Sequence, residues 1–301
     1  MTTPAWSVIV PTYNRPRQLG VCIGALSRVT PPAGGFEVII VDDGGHPGVD
    51  EVRRAATGTA TTVRYAAQLH AGPAAARNTG ARLAVGTWLA FTDDDCEPAS
   101  GWLQAFERAI VQHPDALVGG VVRNAVSDSM FSEASQLLVG FVAGWFDGAA
   151  RERFFTSNNI ALRRAAFLDA GGFDAAFGAS AGEDREFCDR WTAQGRDSMQ
   201  AVDAIVNHMH ALSLRSFLRQ HHGYGRGAQR FRHRRRAAGR PTRIDPSFYL
   251  ASLRHAAKAR PITRGLALAG CTVLAHAAYA AGLARESWRE NRAVRARAEH
   301  S

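Results

Sequence analysis

Among the 36 basic residues of this 301-residue chain only one, Lys258, is a lysine. An arginine bias of that kind follows from a GC-rich genome as readily as from contact with nucleic acid, and it is not counted toward the latter. Cysteines are four and far apart (Cys22, Cys96, Cys188, Cys271), with no pair at metal-ligand or redox spacing. That excludes a disulfide scaffold, argues against a cysteine zinc site and points to a reducing compartment. Charged residues make up only 21% against 46% apolar, so disorder as an overall state is excluded and a sizeable core is expected. The opening MTTPAWSVIVPTYN has neither a basic stretch nor a long apolar one and is not expected to act as a secretory signal. No internal repeat is visible, and the length suits one large domain with appendages or two small ones.

What is present is unevenly spread. Residues 201–301 hold 19 Arg or Lys and 5 Asp or Glu, whereas residues 1–200 hold 17 and 22. The first part can bind metal or do acid–base work; the basic tail suits an anionic partner. Short apolar runs over 6–12, 36–43, 61–66, 87–92 and 116–122 read as strands. Between them, Arg15–Val29 and Pro73–Val85 have helical spacing, and a further helix is expected through Ile110 with Ser100 as its N-cap. Gly44, Gly45, Pro47 and Gly48 break the chain after the second strand, and Gly171-Gly172 marks a turn. Later elements are expected at Phe155–Leu162 (a strand containing Asn158-Asn159), Glu183–Gln194 (helix), Met199–His208 (strand) and Leu214–Arg236 (helix, weakened by Gly223, Gly225 and Gly227). Apolar strands alternating with helices imply an α/β fold whose parallel or mixed sheet is covered on both faces. Ligands of such sheets sit beyond the carboxyl ends of the strands. Pro11-Thr12-Tyr13, Asp42-Asp43 and Asp93-Asp94-Asp95 all fall there.

The stretch FTDDDCEP, residues 91–98, is the sharpest feature. Three adjacent carboxylates repel one another unless something positive meets them. A divalent cation with oxygen ligands answers that need; a solvated acidic turn is the other reading. In an extended segment Asp93 and Asp95 face one way and Asp94 the other. Asn158-Asn159 is a poor strand former and suits ligand binding.

The segments SVIVPTYNRP, EVIIVDDGG, GPAAARNTGARLAVGTWLAFTDDDCEP, NNIALRRAAFLDAGGFD and GEDREFCDRW follow one another over residues 7–191. Together they resemble family 2 glycosyltransferases of the GT-A type, inverting enzymes that use nucleotide-sugars. The resemblance implies a Rossmann-like, mostly parallel mixed sheet flanked by helices. It places Pro11, Thr12 and Tyr13 against the nucleotide base, Asp43 on uracil with Asp42 in support, and Arg77 near the nucleotide. Asp93 and Asp95 match the DxD pair, Asp94 lying between them at the nucleotide-sugar, with Asp95 in direct contact with Mg²⁺ or Mn²⁺. His208 is a candidate further metal ligand, since some GT-A enzymes use a later histidine. Glu183-Asp184 matches the pair whose aspartate is the general base. Each has a plainer alternative: a turn-forming Asp before Gly for Asp42-Asp43, a surface helix arginine for Arg77, a favoured helix N-terminus for Glu183-Asp184, and a domain surface for His208 and His210. RQHHGYGRG, residues 219–227, departs from the QxxRW motif of processive synthases, which favours transfer of a single sugar; its arginines and the following RFRHRRR read as a solvated face or an anionic-lipid patch.

The chain is therefore expected to hold a GT-A domain over 1–212 and a helical, arginine-rich extension over 213–301. Expected partners are a nucleotide-diphosphate sugar, UDP-sugar first, a glycan or lipid-linked acceptor, and an anionic membrane surface met by the tail. The expected location is cytoplasmic, peripheral or anchored at the membrane face. Residues 265–284 carry no formal charge, long enough at about 30 Å to cross a bilayer. Their eight alanines and three glycines favour an interfacial or packed helix instead. A nucleotidyltransferase or a dinucleotide oxidoreductase fits poorly, because Pro-Thr-Tyr-Asn-Arg-Pro stands where a glycine-rich phosphate loop belongs. A basic nucleic-acid or membrane-surface binding protein is the non-enzymatic alternative; few aromatics among residues 226–243 argue against nucleic acid.

Overall fold

The computed structural model describes residues 3–45, 62–126, 128–147, 153–178, 181–242 and 245–298. Pro47, Gly48 and Thr61, to which the sequence assigns a chain break and a strand start, lie outside them. The strands are β1 (Trp6–Thr12), β2 (Phe36–Asp42), β3 (Thr62–Ala67), β4 (Trp88–Phe91), β5 (Cys96–Pro98), β6 (Leu117–Asn124), β7 (Ile160–Arg163) and β8 (Ser198–His208). They form one sheet in the order β3-β2-β1-β4-β7-β6-β8-β5. Strands β1 to β4, β6 and β8 run one way, and β5 and β7 run against them. The sheet is thus mixed and mostly parallel.

Alternation along the strands feeds two cores. Val8, Val10, Val38 and Ile40 point to one face, where helix α1 (Pro16–Leu26) and helix α3 (Trp102–Gln112) bring Leu19, Ile23, Trp102 and Phe106. Ile9, Ile39 and Val41 point to the other, where α2 (Pro73–Leu83) and α6 (Glu183–Ala193) pack. Since both faces are covered, β1 and β2 are buried at every position, which is why they read as near-continuous apolar runs. Phe187 of α6 meets Phe173 and Phe167 at ring separations of 5.0 and 5.4 Å. Burying one such ring is worth about 3 kcal/mol, and it fixes the start of α6, where Glu183 and Asp184 lie.

Three local expectations need correction. The helix expected with Ser100 as its N-cap starts one residue later, at Trp102 with Gly101 as its N-cap. The Ser100 carbonyl instead accepts from Thr30 N at 2.8 Å, and the fully buried Trp102 indole opens the helix. Asn158 and Asn159 precede β7, in the turn where Asn159 N donates to the Thr156 carbonyl, rather than sitting inside a strand. The aspartates 93–95 also form a turn, closed by Cys96 N donating to the Asp93 carbonyl at 3.1 Å, so strand alternation does not apply to them.

Two compact units emerge. The first comprises residues 1–125, 150–178 and 184–210, and the second residues 126–149, 179–183 and 211–301. The second is helical: α4 (Met130–Asp147), α7 (Leu214–Ala237), α8 (Ser247–Ala257) and α9 (Ile262–Ala298). Helix α5 (Arg164–Asp169) belongs to the first. Helix α7 forms in full despite its glycines, and the packing gives the reason. A Cβ on Gly225 would lie 1.9 Å from the Tyr279 carbonyl oxygen of α9, and one on Gly282 would lie 2.0 Å from that of His222. The two backbones approach too closely for any side chain. The arginines of α7 are not simply solvated: Arg226 and Arg230 each place Nε 2.8 Å from the buried Glu286 carboxylate. By length and composition α9 is apolar enough over Ile262–Arg292 to cross a membrane.

Gly282→Ala is expected to destabilise the helical unit by about 1–3 kcal/mol through overpacking. Gly270→Ala, on the same helix with nothing within 4 Å of its added Cβ, should stabilise it by up to about 1 kcal/mol. Opposite shifts in thermal unfolding, followed by circular dichroism, check the packing.

Candidate functional site

The first unit gathers its polar side chains at the carboxyl ends of β1, β2 and β4. Thr12 ends β1, and its buried hydroxyl donates to Asp94 Oδ2 at 2.7 Å. Asp43 follows β2, and its amide donates to the Thr12 carbonyl at 2.9 Å. Arg15, just after β1, reaches back with one nitrogen to Asp94 Oδ1 at 3.2 Å and Asp95 Oδ2 at 2.9 Å. Asp94 and Asp95 therefore share a partner. Asp93 turns elsewhere, its carboxylate 2.5 Å from Arg77 of α2. This reverses the grouping that strand alternation implies, and the turn at 93–95 is the cause.

Asp95 also meets β8. The short strand β5 pairs with it so that Cys96 faces His208, and Met209 N donates to the Asp95 carbonyl at 2.8 Å. His208 Nε2 then stands 3.4 Å from Asp95 Oδ1, with the His210 ring stacked 4.8 Å from the His208 ring. Burial works against charge on Asp95, but the hydrogen bond and charge of His208, with Arg15, outweigh it and hold the carboxyl below the usual carboxylate range. Burial pulls His208 down while Asp95 raises it, and the balance lies above the ordinary imidazole value. Burial, with His208 alongside, pushes His210 down to about 4. Asp94 is raised to about 6 by burial, Arg15 opposing and Asp95 adding to the rise.

Oxygen, nitrogen and sulfur atoms of Asp95, His208 and Cys96 lie within 4.8 Å of one another. A hard divalent cation suits the carboxylate and the imidazole. It does not suit Cys96, whose thiol is buried and pushed well above its ordinary value by burial and the nearby aspartates. The donor set thus fits Mg²⁺ or Mn²⁺ through Asp95 and His208, while Asp93, expected beside Asp95, stands outside this group.

Asp43 is buried and fully engaged. Its Oδ1 accepts from Gln68 Nε2 at 2.7 Å and Ala71 N at 2.9 Å. Its Oδ2 accepts from Gly72 N at 2.7 Å and lies 2.9 Å from His70 Nδ1. Gly72 has φ of 94°, which only glycine adopts freely, and this aims its N–H at the carboxylate. The half-exposed Tyr13 ring stacks on His70 at 4.3 Å and 24°. Asp42 is a support, accepting from the Tyr65 hydroxyl at 2.6 Å and Gly45 N at 2.8 Å. Pro11 is buried within β1.

The asparagine pair divides. Asn158 accepts from the Thr156 hydroxyl at 2.7 Å and donates to Cys96 Sγ at 3.6 Å, beside the aspartate turn. Ser157 N lies 3.5 Å from Asp184 Oδ2, bringing the start of α6 to the same segment. Asn159, expected at the ligand, instead serves the fold: its amide donates to the Val121 and Ala204 carbonyls and accepts from Trp102 Nε1, and it is 1% exposed. That buried amide has no edge left for a substrate. Glu183, also buried, opens α6 directly before Asp184. Arg15 and His70 are the site residues that sequence reasoning passed over. Arg15 stands in the SVIVPTYNRP segment and reads from the sequence only as the start of a helical stretch, and nothing in the pattern around His70 marks it.

A mixed, mostly parallel sheet with helices on both faces and aspartates at its strand ends is a GT-A type fold. Residues 7–171 match Glycosyl transferase family 2, more than half of the chain, and the chain belongs to that family. It is 35% identical over 122 residues to the glycosyltransferase AglE of Haloferax volcanii, covering 40% of each chain. It is 27% identical to the pre-mycofactocin glycosyltransferase of Mycobacterium tuberculosis over 74% of this chain and 46% of that one. With the validoxylamine A glucosyltransferase of Streptomyces hygroscopicus the identity is 30% over 64% of this chain and 52% of that one. The chain thus spans about half the length, or less, of these curated relatives. Among solved structures it is similar to the mannosyltransferase PcManGT of Pyrobaculum calidifontis in complex with GDP-Man and Mn²⁺. There the TM-score is 0.67 at 19% identity, covering 95% of this chain and 88% of that one. It is also similar to TarS of S. aureus, with a TM-score of 0.54 at 18% identity over 92% of this chain and 54% of that one.

Removing the Asp43 carboxylate leaves its buried amide donors unpaired. Asp43→Ala is expected to cost about 3 kcal/mol in urea unfolding, and Asp43→Asn, which keeps one acceptor, clearly less.

Proposed function

We propose that the protein transfers a sugar from a nucleotide-diphosphate sugar to an acceptor hydroxyl with inversion at the anomeric carbon. The observation that carries this reading is the bonded cluster Thr12–Asp94–Arg15–Asp95–His208 at the strand ends, with Asp93–Arg77 beside it. It suits a diphosphate neutralised by a cation, and the family match supports the chemistry.

Asp184 is the proposed general base. It takes the proton from the acceptor hydroxyl as that oxygen bonds to the anomeric carbon, while the bond from that carbon to the diphosphate oxygen breaks. Attack on the face opposite the leaving group inverts the centre. Asp95 and His208 would hold Mg²⁺ or Mn²⁺, which when bound would offset charge on the departing diphosphate. Arg77 and Asn158 line the donor side, and Glu183 supports Asp184. Tyr13 carries the base on its exposed ring face, with His70 backing that ring and Asp43 fixing His70. UDP-sugar is the donor we expect, and GDP-sugars are the comparison. The acceptor we place on a glycan or lipid-linked carrier, with the protein at the cytoplasmic membrane face.

Asp184→Asn should lower transfer by about 10²–10⁴-fold with donor binding and thermal stability retained; unchanged turnover would remove the base assignment. Asp95→Ala and EDTA treatment should each abolish cation-dependent donor binding, read by thermal shift with UDP-, GDP- and dTDP-sugars in the presence of Mn²⁺.

His70→Ala should raise donor KM about three- to tenfold with kcat unchanged, the scale of one lost aromatic stack. His70→Phe should recover most of that loss. An unaltered KM in the alanine variant would show that the backing ring does nothing for the donor.

A further inference from the structure

Helix α9 has two unlike sides. Leu268, Cys271, Thr272, Ala275 and Glu286 are buried within the helical unit. Opposite them, Ile262, Leu266, Val273, Leu274 and Trp288 are 61%, 64%, 54%, 43% and 59% exposed. Exposed Gly270, Ala277, Ala281 and Ala284 fill the intervals, so the uncharged surface recurs every three or four residues. From Ile262 to Trp288 this stripe runs about 40 Å at 1.5 Å per residue. Its far end is basic: Arg285, Arg289 and Arg292 are exposed, and the Arg292 guanidinium sits 4.8 Å from the Trp288 ring centre.

We propose that this stripe is the docking face for an anionic lipid bilayer, with α9 lying along the surface rather than across it. The proposal rests on the membrane-face reading above and names the surface that serves it; the catalytic assignment is separate. Crossing is disfavoured by what the helix carries on its packed side. Glu286 with Arg226 and Arg230, and the Arg264–Glu133 pair at 2.7 Å, would have to enter hydrocarbon. Lying flat leaves those pairs on the protein side and inserts only the aliphatic side chains and Trp288 at the headgroup boundary. An indole among arginines suits that boundary, and three exposed guanidinium groups are complementary to acidic headgroups. Charge complementarity is what selects a lipid surface over a second copy of the chain, whose own stripe carries the same arginines.

The test is co-sedimentation of the 301-residue chain with phosphatidylcholine vesicles, with and without a quarter phosphatidylglycerol. Binding should need the acidic lipid and weaken with salt. It should fall at least tenfold in the Leu266→Glu/Val273→Glu double variant, and about fivefold for each of Arg285, Arg289 and Arg292 replaced by Gln. All these side chains are exposed, so melting temperatures should not move. Four outcomes overturn the proposal: no vesicle binding, equal binding to neutral vesicles, a dimer in sedimentation equilibrium that the double variant dissolves, and resistance of the membrane-bound protein to alkaline carbonate extraction. Transfer to a soluble acceptor, measured in parallel, keeps the two readings apart. Lost vesicle binding with retained transfer sinks only the docking face, and the reverse sinks only the enzyme.

Discussion

Adjacent carboxylates at the end of a buried strand repel one another, and burial makes the repulsion worse. Here each of the three aspartates after β4 meets a different answer. Asp93 takes the Arg77 guanidinium, Asp94 takes the Thr12 hydroxyl and part of Arg15, and Asp95 takes the rest of Arg15 and His208. Those partners come from α2, from the end of β1 and from the end of β8. Satisfying one turn therefore ties together segments that are distant in sequence. The mixed edge of the sheet follows from the same need, because β5 must run against β8 to set Asp95 beside His208.

A second constraint works through Asp43. Its carboxylate organises the segment 68–72 by accepting from two backbone amides and a glutamine, and it lies within reach of His70 Nδ1. That nitrogen also faces the Asp43 carbonyl oxygen at 2.9 Å, so with two acceptors before it Nδ1 carries the proton. The imidazole plane is thereby set, and with it the stack on Tyr13. A buried charge at the end of β2 governs the orientation of an aromatic surface open to solvent.

Much of this was legible beforehand, for identifiable reasons. Strands β1 and β2 are buried on both faces and leave near-continuous apolar runs such as VIIV in residues 38–41. The aspartates stand next to those runs in sequence, so their place at the sheet edge could be read directly. Which way each one points could not, because that depends on a turn whose partners, Arg15 and His208, are far away in the chain. Asn159 misled for a related reason: a polar residue in a buried segment suits a ligand or a knot of backbone carbonyls equally well, and only the positions of Val121, Ala204 and Trp102 decide. Helix α4 and strand β5 escaped notice, the first because its apolar residues are too evenly spread and the second because three residues ending in proline carry no period. The glycines of α7 lowered the expectation of a helix, since close approach of a second backbone leaves no trace in local sequence.

The chain leaves the sheet-bearing unit after residue 125, contributes α4 to the helical one, returns, lends it residues 179–183, and leaves for good after residue 210. Arg264 pairs with Glu133 across that interval, and Leu212 N donates to Ser132 Oγ at 2.9 Å. A gene truncated near codon 212 would consequently strand α4 with its apolar side bare, and such a product should go to inclusion bodies rather than yield a minimal enzyme. Isolating the sheet-bearing unit requires removing three separate segments, 126–149, 179–183 and 211–301.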